Sequence, residues 1–458
     1  MVDETVKGYR FAGDIEVKNI ILVGSSGEFR DIGKIVIEVN VFQSLGEHYL
    51  QGEIVVNDAV SLLTTLSGSR AEEIQGGFNG GEVIVLTYKM RDSSLPFKTH
   101  FFGIHEVAER QRLDEKDEVY ILNCISAEAY RSSTKTISRC YGGAKGNLVS
   151  NMVKSIVDEF IYDKSMKDTH RQYREALNIR MEKKVHISPT NGKQSFIIPN
   201  LTPDDAIDYL TKEADNDNHI PYFFFYENSN GFNFMDLNEM VTSDVKETYT
   251  YMAQNVIGQE GKSEKDETTI RDYQKIISFN ILSQTDIIGN MRKGLFRSKM
   301  INLDILRKKK TEYNFNYDNE YKKFNKLQKW KIPGTGDGIP VLHMMHSRTG
   351  HDNDPLFASE LPLPARINQN LPRSQSYFNH IFNTQMEVSV PGNSELNVGD
   401  VIELNIPNAT TINKLDGKKD LYLSGKYLIT SLRHKFGGTT GTEFTTFLEC
   451  VKDTGIEI

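Results

Sequence analysis

Two stretches of this chain, far apart in sequence, read as copies of one another, and that limits what the chain can become. DIGKIVIEVNVFQS opens on Asp31, Lys34 and Ile35, and DYQKIISFNILSQT opens on Asp272, Lys275 and Ile276. A strand-breaking glycine follows each, Gly52 in the first and Gly294 in the second. Further on, FFGIHEVAERQR then VYILNCIS is matched by YLSGKYLITSLRHKF then EFTTFLECVKD, so that Gly103 to Cys124 corresponds to Gly425 to Cys450. Antiparallel hairpins look alike in any β protein; the shared order of the two matches is what predicts two copies of one β-barrel unit. The second copy is then split, with strands from 273 to 304 and from 384 to 452 around an insertion at 307–375. Three such chains can close a ring of six similar units, a threefold object imitating sixfold symmetry.

The 458 residues leave room for about three compact units, and 24 Phe with 20 Tyr are more than a disordered chain carries. Short alternating runs at 32–41, 49–56, 83–88, 99–107 and 119–126 predict about five strands, enough to curl a sheet. The pattern turns helical in GNLVSNMVKSIVDEFIYD, where Leu148, Val149, Met152, Val153, Ile156, Val157 and Phe160 fall on one stripe. Asp163 to Lys184 is charged throughout and reads as a solvated helix or linker. At Thr202 an N-cap, Pro203 at the first helical position and Asp204 with Asp205 mark a helix start. Ile207, Leu210 and Ala214 form its buried stripe, and YFFFY and FNFMDL make a hairpin about Asn228 to Gly231.

The expected class is therefore α+β and β-rich, with two similar small β-barrel (tube-type) domains and helix-containing domains between them. The expected divisions are 1–135 for the first barrel, 136–185 for a helical segment and charged linker, and 186–265 for a helix with a β-hairpin. Residues 266–306 and 376–458 make the second barrel, and 307–375 the insertion.

Fifty-four basic against 62 acidic residues give a net charge of −8, which argues against an electrostatic clamp on nucleic acid. Three cysteines, Cys124, Cys140 and Cys450, imply no disulfide framework and read as buried thiols in a reducing compartment, a cytoplasm. The N-terminus lacks an apolar stretch and the longest aromatic run, Tyr222 to Tyr226, is too short to span a bilayer, so neither export signal nor membrane segment is expected.

Few residues invite a chemical reading. A helix would align His343 with His346, and His351, Asp352 and Asp354 lie close by as metal ligands; the surrounding Gly-Asp-Gly and Arg-Thr-Gly favour solvated loop histidines. Arg307 to Lys331 mixes lysines with Tyr313, Phe315, Tyr317, Tyr321, Phe324 and Trp330, the mixture that single-stranded nucleic acid needs. Glu312, Asp318 and Glu320 dilute that charge, and a strand with its aromatics packed inward accounts for it better. Asp204 with Asp205, or Glu72 with Glu73, could suggest acid and base work on a glycosidic bond, yet the helix start explains the first pair. Gly334, Gly336 and Gly338 mimic a phosphate loop without its Lys-Ser/Thr ending. No catalytic, metal or cofactor residue is assigned.

YLQGEIVVND, LTPDDAIDYLTKEADNDNHIPYFFFYENSNGFNFMDL, and VPGNSELNVGDVIELNIP (with Gly399 and Asp400) followed by LYLSGKYLITSLRHKF and FTTFLECVKD resemble the baseplate hub proteins of contractile-tailed bacteriophages. These are of the T-even type, related to the hub portion of VgrG spikes, and the likeness covers nearly the whole chain. It departs from a compact hub at 307–375 and in the charged linker after 163. The resemblance implies a structural, non-catalytic homotrimer in the virion's tail baseplate, assembled in the bacterial cytoplasm. Its implied partners are the hexameric tail tube protein, the trimeric central spike protein and other baseplate proteins. A channel would pass DNA without stable nucleic-acid binding. The alternative is a particle-associated cell-wall or polysaccharide hydrolase with two carboxylates facing across a cleft.

Overall fold

The computed structural model describes residues 13–24, 29–59, 82–90, 96–114, 117–142, 146–162, 183–251, 273–304, 308–334, 338–346, 367–408, 419–438 and 443–455. The chain is α+β and rich in strands. Seven strands make up its first part, a short one at Phe29–Asp31 that pairs with β1 at the sheet's end and six longer ones: β1 (Ile15–Val23), β2 (Val36–Ser44), β3 (Gln51–Asp58), β4 (Val83–Met90), β5 (Lys98–Arg112) and β6 (Glu118–Ser126). β3 alternates, with Gly52, Ile54, Val56 and Asp58 buried, as expected of a sheet with one face on a core. β4 is buried on both faces along VIVLTY. Ile84, Leu86 and Tyr88 enter the main core of this part, and Val83 and Val85 meet Phe101 and Ala127 on the other side.

Between the two β-rich parts sits an α/β layer. α1 (Val149–Ile156) buries Val149, Met152, Val153 and Ile156, then runs into a π-helical turn at Val157–Ile161. The π turn widens the helix and rotates the stripe, so Ile161 is buried and Phe160 only partly. Next come β7 (Lys184–Ile187), α2 (Pro203–Thr211), β8 (Phe223–Asn228) and β9 (Gly231–Asp236). β7 pairs parallel to β9, and β9 antiparallel to β8. α2 starts as its sequence dictates: Thr202 Oγ1 accepts from the Asp205 amide at 3.3 Å, and Ala206, Ile207 and Leu210 face the core.

Lys183, at the end of the charged stretch, is not solvated. Its ammonium donates to Glu128 Oε2 and Glu227 Oε1, both at 2.5 Å, and to Ser126 Oγ at 3.1 Å, and all four residues are buried. Burial pushes the lysine down, and the two carboxylates outweigh it and hold it above its ordinary value. Burial raises both acids; Lys183 overcomes that for Glu128, while Glu227, beside a second carboxylate, stays raised. One cation thus ties the end of β6, the helical turn after it and the β8 hairpin together.

The chain then forms β10 (Val245–Tyr251) and β11 (Ser278–Gln284). β12 (Arg297–Asp304), β13 (Lys309–Asn316) and β14 (Val341–His346) build a separate three-stranded sheet with β12 central. After α3 (Ile367–Ile381) come β15 (Thr384–Pro391), β16 (Val401–Asn405), β17 (Gly425–Gly437) and β18 (Phe444–Lys452).

Ladder by ladder, the two β-rich parts have one plan. The first runs in space β2-β3-β6-β5-β4-β1 and the second β11-β15-β18-β17-β16-β10. Position for position these follow the same order along the chain, and the strands within each are antiparallel except that β10 runs parallel to β16 where β1 is antiparallel to β4. Fine register repeats as well. Cys124 faces Ile104 and Cys450 faces Ile429, and a bulge follows in both, between Ile104 and Glu106 and between Ile429 and Ser431. Among the described residues no ladder closes either set into a complete cylinder.

Three details differ from the sequence expectation. Gly103 lies opposite Val83 and Gly425 opposite Leu404; aligned on the cysteines and bulges, Gly103 stands level with Leu428, so the cysteine match holds and the glycine match is three residues out. β12, expected in the second copy, pairs with β13 and β14 and with no strand of the second copy among the described residues. β10, placed within 186–265, belongs to the second copy's ladder.

Replacing Lys183 with Met leaves Glu128 and Glu227 buried without their cation. A loss of about 3–5 kcal/mol is expected, read as a lower urea midpoint; an unchanged midpoint contradicts the tie.

Candidate functional site: the joint between the two β-units

The two units share one continuous sheet because β17 serves both. Its first residues, Gly425–Leu428, pair with β16, while Ser431–Gly437 pair antiparallel with Glu38–Ser44 of β2 along the same edge. The Gly399-Asp400 pair that the sequence singled out holds the bend between these segments. The Gly399 amide donates to the Ile429 carbonyl and the Ile429 amide to the Asp400 carbonyl, each at 3.0 Å. Gly399 has φ +89°, and a side chain there would meet the Tyr226 hydroxyl, so only glycine fits without strain.

Side chains reinforce the joint. Arg433 donates to Asn40 Oδ1 at 2.9 Å and Lys435 reaches Glu38 Oε2 at 2.7 Å. Burial pushes the Glu38 carboxyl up, but Lys435, Asn40 and Arg433 more than offset this and hold it below its ordinary value. Gln43 Oε1 accepts from the Val398 amide at 3.2 Å while its Nε2 donates to Ser229 at 2.9 Å, so the middle layer also touches the joint. On the inner face Phe436 crosses over: it packs in the first unit's core, its ring 4.8 Å from that of Tyr88.

Both units line a groove of about 650 Å³. Glu53, Glu387 and Glu449 face it with Arg433, Gln51 and Asn280, beside Phe42, Phe279 and Phe447, a mixed wall with more carboxylates than cations.

The residues with possible chemistry are used otherwise. Asp204 accepts from the Tyr49 hydroxyl at 2.5 Å and Ser132 at 2.6 Å, and Asp205 belongs to the Thr202 cap. His343 and His346 lie three apart on strand β14, not on a helix. His351, Asp352, Asp354, Glu72, Glu73 and Gly336 lie outside the described residues. The aromatics of 307–331 pack inward: Phe315, Tyr317 and Phe324 are buried and Tyr313 and Tyr321 lean on the same core. Lys310, Lys323 and Lys331 pair with Glu312, Glu320 and Asp318. Gly334 lies against Phe296, in contact with a packed ring rather than in an open cradle. Of the cysteines, Cys124 and Cys450 are buried, but Cys140 is exposed on a short strand. No helix among the described residues is long and apolar enough to cross a membrane.

In overall fold the chain is similar to a solved phage tail protein. The 43 kDa tail protein of prophage MuSo2 from Shewanella oneidensis aligns over 96% of this chain and 100% of its own, at 8% identity and TM-score 0.50. The tail protein from Neisseria meningitidis MC58 aligns over 95% of this chain and 96% of its own, at 10% identity and TM-score 0.49. The Francisella PdpA-VgrG complex aligns over 98% of this chain and 55% of the matched chain, at 10% identity and TM-score 0.46. No family model matches the chain, and neither does any curated protein. At such identities the likeness is one of fold, and at that level the resemblance expected from the sequence holds.

Truncating Phe436 to Ala should cost about 3–5 kcal/mol, measured by urea unfolding, because it empties a site in the first unit's core from the second. A second expectation concerns acid. Burial pushes His100, His380 and His434 down to about 3. The fold keeps them neutral while the unfolded chain takes up protons below about 6.5, so this stability is present above 6.5 and lost as pH falls toward 3. Asp453, pushed up to about 6 by burial, works the other way as pH falls below 6. Glu227, Asp236 and Asp400, raised by burial, act in the same sense as Asp453, so substitution isolates the histidine contribution: from pH 7 to pH 5 the urea midpoint should fall less, or rise more, in His434→Gln than in the parent chain. An equal pH response of the two proteins contradicts this.

Proposed function

We propose that this chain is a structural baseplate hub of a contractile phage tail. In this reading three copies form a ring that adapts a hexameric tail tube to a trimeric central spike, and other baseplate proteins attach around it. The observation that carries it is the duplication: two units of the same strand order joined edge to edge. Such a chain gives a threefold assembly six similar faces. The fold shared with the MuSo2 tail protein supports the same role. Each unit acts as a tube-type barrel, divided as 1–135 for the first and 266–306 with 376–458 for the second, the latter extended to include β10. Residues 136–185 and 186–265 are the intervening layers and 307–375 the insertion. The joined sheet's groove, with its excess of carboxylates over cations, faces the channel, where acidic groups let DNA pass without holding it. The virion's tail baseplate is its place, after assembly in the host cytoplasm.

A hydrolase of cell wall or polysaccharide needs two acids across a cleft. The Asp204 and Asp205 pair that suggested one is committed to a helix cap and to Tyr49 and Ser132. Solution mass and a peptidoglycan assay on one preparation separate the readings. An inert assembly of three chains is expected, and turnover by a monomer would overturn the hub.

A further inference from the structure

The joint inside the chain has a counterpart whose two halves carry no strand partner across it among the described residues. Its partners are the outer segment of β17 and the strand β2. By the shared strand order their equivalents are the outer segment of β5 and the strand β11. Among the described residues β11 pairs with β15 alone. Beyond Gly103, where the β4 ladder ends, that edge of β5 likewise carries no strand among the described residues.

Exposure marks the difference between the filled and the open joint. Val41, under β17, is 0% exposed; Ile281, its counterpart on β11, is 38% exposed, and Leu282 beside it 47%. Leu432 on the outer segment of β17 is buried, whereas its counterpart Val107 is only half-buried and Glu106, Gln111 and Arg112 are exposed. A bare edge beside exposed Ile and Leu is a surface that natural proteins cover or pair.

We infer that the occupant is a second copy of this chain, with β5 of one protomer pairing antiparallel to β11 of the next in the register of the internal joint. This rests on the trimeric reading above and names its contact. The internal register sets Ser431 opposite Ser44, Leu432 opposite Gln43, Arg433 opposite Phe42 and Lys435 opposite Asn40. Carried over through the shared bulges, it sets Glu106 opposite Thr285, Val107 opposite Gln284, Ala108 opposite Ser283 and Gln111 opposite Asn280. Glu109, with φ +50°, and Leu282 are the extra residues of bulges on the two strands and lie near one level. The contact is head to tail, because β5 and β11 are different patches, and alternating it with the internal joint closes a ring at six units, which is three chains.

Cysteine pairing tests the register in the full chain, with the exposed Cys140 replaced by Ser. Directly opposed residues of an antiparallel pair hold their Cβ atoms about 4.5–5.5 Å apart, near disulfide reach. Ala108→Cys and Ser283→Cys, each in a separate chain, should give a disulfide-linked dimer only when mixed and oxidised. Both in one chain should give covalent species up to a closed trimer on a denaturing gel. Ala108→Cys mixed with Asn280→Cys, two ladder levels or roughly 7 Å out of register, should give at most a trace. A preparation with the mass of a trimer that forms no Ala108–Ser283 link, or links equally well to position 280, overturns this contact and leaves the trimer standing. A chain that stays monomeric at its highest attainable concentration and links nowhere overturns both.

Discussion

A single strand shared between two sheets organises this molecule. β17 could have ended with the β16 ladder, as its first residues do, but a bulge after Ile429 carries it onward to pair with β2. Backbone hydrogen bonds give such a joint strength without demanding particular side chains. Phe436, placed in the neighbouring core, supplies the apolar contribution. Because the joint is a ladder and not a flexible tether, the relative placement of the two units is set by strand geometry. A rigid pair of like units is what a ring-forming chain requires.

Polar groups inside the molecule follow the same division of labour. Lys183, Glu128 and Glu227 sit where the first unit meets the middle layer, and Gln43 links the joint to that layer and to the loop before β16. Buried ions of this kind contribute little net stability compared with an apolar core, but the loss of one partner is costly. They therefore fix which surfaces meet more than how strongly. Buried neutral histidines near both cores add an acid sensitivity that an apolar packing would lack.

Much of this was legible before any coordinates. The helix start at Thr202, the hairpin about Asn228 to Gly231 and the strands of the first unit are local patterns, set by caps, turns and alternation. The duplication was legible too, since two strands and a cysteine recur in order. Its glycine register was misread because glycines mark breaks, not levels in a ladder; the bulges and the cysteine mark levels. The strand VKETYTY at 245–251 was missed although its alternation was available, because it lies far in sequence from the unit it joins. Lys183 read as solvated, since nothing near it in sequence shows the two carboxylates that neutralise it.

From the sequence alone came the α+β class and the periodicity of each strand, which depend on residues close together along the chain, and the presence of a repeat, which shows as the same order of local patterns in two distant stretches. Only the tertiary structure decided which edges pair and where β10 and β12 belong. Ladder bonds join backbone to backbone and leave no mark in the side chains, so the choice of partner is made by the packing of whole sheets around their cores.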